Sequence, residues 1–392
     1  MSTAPQKCSW PCWAALAFWL VIYLVITSDS VHRLYRHDTT PTYLLASQQW
    51  WQGQDPYTRN NHAGFLYFPQ AAILFTPFTW GPPQLGEILW RAVVFGLLAY
   101  ALARLARFFL CDGAWPVART FFFLSLLAVP SSMASLRNAQ FDLPLAALLV
   151  LASAEVAEER WKSAAAWLCL AVALKPLAVV PMLLYGALYW KLIPRVIVGM
   201  LIVVAVPFLH WNPAFVAHEY VRCIDTLAWA TQADEPRYSD LAALISHLGI
   251  YPPTWLKMVT RVVCALATLG LGYAAVRRLD RAGAAWTVGA LAADYLMLFN
   301  PRTETCSYVF LGPFVASLAL LFVAQPERKG LGRVLAAAAL LLACDAVPKI
   351  NNVLDFHILT DRWLKPLIAI FFLVVAVRMI FGRNASMVKR DR

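Results

Sequence analysis

Residues 38–57 read DTTPTYLLASQQWWQGQDPY and stand between two apolar stretches, Trp13 to Ile26 before them and FLYFPQAAILFTPF, residues 65–78, after them. Thr40 suits a helix N-cap, Pro41 the first helical position and Gly53 the position just past the end. Between these signals Tyr43, Ala46 and Trp50 share one face, with Leu44 and Trp51 beside it, while Ser47, Gln48 and Gln49 are polar. The pattern predicts a short amphipathic helix of the kind that lies in a membrane interface. Asp38 stands at its start and Asp55 in the turn after it. The stretch therefore predicts a helix that fixes a carboxylate at a membrane surface.

Composition supplies the membrane. The chain has 392 residues, 60% of them hydrophobic and 14% charged, with a mean hydropathy of +0.60. A soluble domain is usually about 25% charged, so this is a polytopic membrane protein. The net charge of +11 does not imply nucleic acid, because the basic residues are scattered singly and in pairs between apolar runs. The eight cysteines form no disulfide framework, and no CxxC or Cys/His ligand spacing indicates zinc. Trp13 to Ile26 lacks a small-residue cleavage site and reads as a retained first span.

Hydropathy predicts about twelve membrane helices. They cover residues 11–27, 86–109, 118–134, 141–157, 161–175, 176–190, 194–210, 254–276, 284–299, 307–324, 332–347 and 364–382. Residues 65–79 are apolar but contain Pro69 and Pro77, and read as a broken or re-entrant segment. With the N-terminus inside, the basic turns at Arg104/Arg107/Arg119, Arg160/Lys162, Lys191/Arg195, Arg277/Arg278/Arg281 and Arg328/Lys329/Arg333 all fall on the cytoplasmic side. That parity requires a tight hairpin at Lys175-Pro176. All seven histidines then fall outside, and the external segments are long only at about 28–64 and 211–253. Residues 1–392 read as one transmembrane domain.

Four external groups can carry chemistry. Asp38 lies in an N-cap sequence, where acids are common for dipole reasons alone, and its rival Asp29, just past the first span, reads as a solvated interfacial acid; each is also a candidate base. SLRNAQFD, with Arg137, Asn138, Gln140 and Asp142, is either a polar hairpin or a set of donors and acceptors for sugar hydroxyls or phosphate. Lys175, in an apolar run before a helix-breaking proline, must snorkel or find an anion. FNPRTETCSY, with Asn300, Arg302 and Glu304, either seals a turn through an Arg302 pair with Glu304 or Asp294, or offers Arg302 as a bidentate phosphate clamp. A carboxylate and three cations at one membrane face suit a transferase that uses a lipid-phosphate-linked sugar.

The sequence resembles glycosyltransferase family 87 of the GT-C superfamily. The resemblance rests on Asp38, Tyr43 and Ala46, on the turn Gly53-Gln54-Asp55-Pro56-Tyr57, on Tyr67-Phe68-Pro69 with Pro77, on Asn138-Ala139-Gln140, and on Lys175-Pro176. Thr39-Thr40-Pro41 after the aspartate and Asn300-Pro301-Arg302 near the end depart from the family's usual pattern. The resemblance implies an all-α GT-C-type bundle with short amphipathic interfacial helices in the first external loop. It implies an inverting transfer of a hexose, mannose foremost, from a polyprenyl phosphate to a glycolipid or glycan of the cell envelope. The expected place is the outer face of a bacterial cytoplasmic membrane. The expected roles are Asp38 then Asp29 as base; Arg302, Lys175 and Arg137 on the phosphate; and Asn138, Gln140, Trp50, Trp51, Tyr57 and Asp55 around the sugar. No metal or other cofactor is required, although an acidic pair beside a phosphate can hold Mg²⁺. The competing readings are a lipid or polysaccharide transporter and a non-catalytic partner in envelope assembly. A transporter would carry ionisable groups through mid-membrane, whereas Asp294 and Asp345, the acids in apolar runs, lie toward the expected outer ends.

Overall fold

The computed structural model describes residues 10–34, 39–57, 64–110, 116–230, 238–246, 248–343 and 363–382, and the described residues contain no strand. Helices occupy every position where hydropathy places one. They are α1 (Trp10–His32), α4 (Pro83–Phe109), α5 (Val117–Asn138), α6 (Asp142–Ala157), α7 (Trp161–Leu174), α8 (Val179–Leu188), α9 (Ile193–Ala205), α12 (Thr254–Arg278), α13 (Arg281–Phe299), α14 (Gly312–Val323), α15 (Lys329–Leu341) and α16 (Lys365–Phe381). Between them lie α2 (Thr40–Trp51), α3 (Pro69–Phe75), α10 (Pro213–Ala230) and α11 (Leu241–Ser246). Seven of the described helical stretches are long and apolar enough to cross a membrane: 10–32, 83–109, 117–138, 190–209, 254–278, 281–299 and 305–323. Helices α6, α7, α8, α15 and α16 are shorter.

The bundle is layered. Helix α6 is buried over nearly its whole length, as are α13 and α14, and these three form the centre. Helix α9 has no buried residue and α12 has only Gly272 and Ala275; their exposed Leu, Ile and Val side chains suit hydrocarbon. Small residues set the close approaches. A Cβ on Gly312 would stand 1.8 Å from Ser131 Oγ, so α14 meets α5 nearly backbone to backbone.

The hairpin at Lys175-Pro176 is present. Helix α7 ends at Leu174, Lys175 is extended, and α8 returns so that the Trp161 ring lies 5.9 Å from that of Tyr189. Three of the turns expected to be cytoplasmic also meet at one end of the bundle. Arg104 pairs with Glu155 and Glu158 at 2.9 Å each, Arg160 with Glu155 at 3.6 Å, and Arg281 with Glu159 at 3.2 Å.

The segment 65–79 is a short helix followed by a helical turn over Thr76–Thr79, not a span. Gln70 ties it down by donating to the Val203 carbonyl at 2.8 Å and to Tyr220 Oη at 2.6 Å. Helix α2 is amphipathic as its spacing predicts, with Tyr43, Ala46 and Trp50 buried. Its N-cap position is Thr39, not Thr40, and no side chain caps it. Both hydroxyls are drawn elsewhere: Thr39 Oγ1 donates to the Asn138 carbonyl at 2.8 Å, and Thr40 Oγ1 to Glu87. Gly53 has φ +68°, a left-handed turn after the helix that glycine adopts without a Cβ penalty.

Candidate active site

At the end of the bundle opposite the basic turns, three separate segments converge. Asp142 opens α6 and is 2% exposed. One of its oxygens pairs with Lys175, at the break after α7. The other accepts from Ser307 Oγ at 2.7 Å. Gln140, two residues before Asp142, donates through Nε2 to Glu304 Oε2 at 3.2 Å. The polar hairpin, the lysine in its apolar run and the FNPRTETCSY turn thus meet in space.

Buried polar groups in folded proteins are almost always satisfied. Two site atoms break that rule: Gln140 Oε1 and Arg302 Nη1 are buried without a hydrogen-bond partner among the described residues. One is an acceptor and the other a donor, which suits a ligand bearing both hydroxyls and phosphate oxygens. Arg302 is not paired with Glu304 or Asp294; its Nε donates to Tyr238 Oη at 2.7 Å, with the guanidinium over that ring.

Tyr67 closes the cluster. Burial, then the neighbouring Asp142 and Glu304 carboxylates, push its hydroxyl well above the ordinary tyrosine range. It therefore remains an O–H donor at any ordinary pH. Tyr43 stacks on Phe141 with 4.0 Å between centroids, and its Oη accepts from the Phe141 backbone N–H at 3.2 Å and lies 3.3 Å from Tyr67 Oη. These contacts fix α2 against the start of α6.

The turn that carries Asn138 and Gln140 is strained. Ala139 has φ 52°, a left-handed conformation costing a non-glycine residue roughly 1–2 kcal/mol. Its surroundings over-determine it. Trp90 Nε1 donates to the Ala139 carbonyl at 2.9 Å, Arg91 Nη2 to the Arg137 carbonyl at 2.8 Å, and the Thr39 N–H to the Asn138 carbonyl at 3.1 Å. Behind the turn, Arg91 pairs with Glu87 on α4, both buried, and Glu87 accepts from Thr40. A fully buried ion pair thus joins the start of α2 to the Asn138 turn. The sequence signal for this clamp was available, an acid and an arginine four apart inside an apolar helix, and the reading of external loops passes over it. Ser307 is likewise absent from the residues expected to bind substrate, and Asp142, named there with the polar hairpin, is found to act as the partner of Lys175.

The other candidates are dispersed. Asp38 lies outside the described residues, while Thr39, next in sequence, is anchored on Asn138. Asp29 is half-exposed in the last turn of α1 and pairs with Arg33 at 3.3 Å, not with the cluster. Asp55 accepts from Arg222 Nε at 3.1 Å and from the Tyr57 N–H at 2.7 Å, so it locks its own turn onto α10. Arg137 Nε lies 3.5 Å from Asn138 Oδ1. Trp50 is 0% exposed against His210 and Phe215, and Tyr57 is buried with its hydroxyl on the Tyr67 carbonyl. Neither ring has a free face for a sugar, because both serve as core. Trp51 is partly exposed, with Nε1 donating to Thr76 Oγ1 at 2.8 Å. Asp345 also lies outside the described residues. Among the described residues no three His, Cys, Asp or Glu side chains are grouped to hold a metal ion.

A multi-helix membrane bundle with a polar, partly unsatisfied cluster at one end defines a class of membrane protein able to handle a polar headgroup. The chain belongs to glycosyltransferase family 87, whose signature matches residues 65–301. It is thus a membrane glycosyltransferase by family. The match takes in Tyr67, Asn138, Gln140, Asp142 and Lys175. It begins after Asp29, Asp38 and Asp55, and ends just before Arg302 and Glu304. Two solved structures are similar to the chain. ArnT from Cupriavidus metallidurans bound to undecaprenyl phosphate has a TM-score of 0.47 at 17% identity, covering 96% of this chain and 79% of that one. ArnT in the apo state has a TM-score of 0.47 at 17% identity, covering 93% and 76%. No curated protein matches the chain.

Proposed function

We propose that the cluster around Asp142, Lys175, Gln140 and Glu304 is the donor site of an inverting transferase. Its donor is a hexose, mannose foremost, on a polyprenyl phosphate, and its acceptor a hydroxyl of an envelope glycolipid or glycan. The observation that carries this reading is the buried unsatisfied Gln140 Oε1 on the turn leading into Asp142, whose carboxylate holds Lys175, with a second such atom, Arg302 Nη1, two residues from the Glu304 that Gln140 contacts. The acceptor oxygen attacks the anomeric carbon and the bond to the phosphate oxygen breaks. The acceptor's proton passes to a carboxylate, Asp38 in this reading. The polyprenyl phosphate leaves with its negative charge met by Lys175 and Arg302, as electrostatic catalysis requires. Asn138 and Gln140 orient sugar hydroxyls, and Tyr67 donates from the side. Lysine and arginine supply the positive charge, so the reading needs no metal.

The site faces outward in this reading, since the basic turns at the other end favour the cytoplasm. A reporter fused after Arg281 would then lie inside and one after Trp211 outside. The test of function is the purified chain given polyprenyl-phosphate mannose and an envelope lipid extract. Release of polyprenyl phosphate together with mannosylated product supports the reading. Intact donor after prolonged incubation overturns it, and transport of the donor across vesicles without bond breakage moves the protein to the transporter class.

A further inference from the structure

The end of the bundle away from the candidate active site contains a cavity of about 250 Å³ at the corner where α8 gives way to α9. Trp161, Tyr189 and Trp190 form part of its wall, and Glu159, Lys191 and Arg281 line it as well. Tyr189 Oη is buried and has no hydrogen-bond partner among the described residues. Lys191 Nζ lies 5.5 Å above the Trp161 ring, which holds the ammonium at the cavity. Arg195 donates to the Lys191 carbonyl at 2.5 Å and adds a further cation to that turn. Glu159 is the only acid in the lining, and Arg281 holds it at 3.2 Å.

We propose that this cavity binds the phosphodiester headgroup of an anionic membrane phospholipid. The cations in the lining outnumber the acid, so an anion entering the site meets net positive charge. The orphaned tyrosine hydroxyl offers a hydrogen bond to a phosphate oxygen, a compensation a buried polar atom otherwise lacks. Trp190 is 73% exposed at the first residue of the apolar stretch 190–209, the level at which tryptophan meets headgroups. The site therefore stands at headgroup depth, with apolar α9 and α12 beside it to receive acyl chains. A juxtamembrane cation contributes modestly to anionic lipid binding, and several together with a shaped cavity give selectivity over zwitterionic lipid.

The test uses the purified full chain in detergent, titrated with phosphatidylglycerol, with phosphatidylcholine and with inorganic phosphate, and followed by native mass spectrometry. Saturable binding of phosphatidylglycerol alone is expected. Lys191→Gln and Arg281→Gln should each weaken it by about fivefold, one surface cation's worth. Tyr189→Phe should weaken it without any change of charge, while Arg333→Gln, at another basic turn of the same end, should leave it intact. Equal binding of phosphatidylcholine would overturn the proposal. So would equal losses in Lys191→Gln and Arg333→Gln, which would mean diffuse surface attraction. Competition by inorganic phosphate at the same concentration would make this a small-anion site instead. If Arg281→Gln fails to fold for want of its Glu159 partner, Lys191→Gln and Tyr189→Phe still decide.

Discussion

The two ends of the bundle hold their charges in different ways. At the basic end one buried pair, Arg104 with Glu155, is joined to exposed ones: Arg160 and Arg281 are more than half exposed, and their partners Glu158 and Glu159 are partly so. At the other end the acids go inside. Asp142, Glu87 and Glu219 are buried, each with a cation or imidazole against it. Exposed pairs contribute little to stability, typically 0–1 kcal/mol, so among the pairs described at the basic end Arg104 with Glu155 is the one expected to matter to folding. Buried charges are costly unless paired, so the acidic end retains them at an expense that structure alone does not explain. The difference teaches where to look for chemistry.

The sharpest break of that comparison is at the proposed base. Asp38→Asn keeps size and an acceptor oxygen but removes basicity. The variant should fold and bind donor, yet lose transfer by about two to four orders of magnitude, the usual worth of a general base. Asp29→Asn should stay near wild type, because Asp29 meets only Arg33 on its own helix. A dead Asp29→Asn beside an active Asp38→Asn would exchange the two roles.

The buried clamp comes next. Arg91→Met leaves the Glu87 carboxylate without its cation, and breaking one side of a buried pair costs about 3–5 kcal/mol. The thermal midpoint should fall accordingly. The paired replacement Glu87→Leu with Arg91→Met should recover much of that stability but not activity, since the Arg137 carbonyl and Thr40 lose their partners. Full activity in the double variant would reduce the clamp to packing.

A smaller loss is expected at the phosphate. Lys175→Ala and Arg302→Ala should each cost donor use about 2–3 kcal/mol, the worth of a charge-assisted hydrogen bond. Arg302→Lys should recover part of it, because the planar fork is lost. Turnover unchanged in both alanine variants would put the phosphate elsewhere.

Much of this is legible in the sequence. Long apolar runs separated by basic turns are read by hydropathy and parity alone, and the break at Lys175-Pro176 follows from a proline that cannot continue a helix. Three of the four polar groups singled out by their oddity in apolar surroundings, those of Gln140, Lys175 and Glu304, do meet. What was not legible is pairing. Spacing says that Lys175 needs an anion; only the fold says that the anion is Asp142, thirty-three positions earlier. Likewise, an aromatic face on α2 is equally consistent with lipid, sugar and protein as its cover, and for Trp50 the cover is α10 and the turn before it. The clamp at Glu87 and Arg91 escaped because a charged pair near the start of a span resembles an interfacial pair until its burial is known.

The mildest prediction concerns Glu219, whose buried side chain faces His218 at 3.0 Å and the Asp55 turn, where Arg222 also lies. Burial raises its pKa above the ordinary 4.5, the His218 contact opposes the shift, and the Asp55 carboxylate adds to it. A raised folded-state pKa means that the folded chain binds this proton more tightly than the unfolded chain. The stabilisation is therefore fully present below about 4.5 and is lost as pH rises through the raised value. Once deprotonated, Glu219 strains the contact between α10 and the Asp55 turn. Glu219→Gln should raise the thermal midpoint slightly at pH 8, leave it unchanged near pH 4, and flatten the slope between. His218→Gln alongside it separates the contribution of the imidazole contact. Parallel pH profiles for wild type and Glu219→Gln would show that this carboxyl is solvated, and that the acidic end does not bury every acid at a cost.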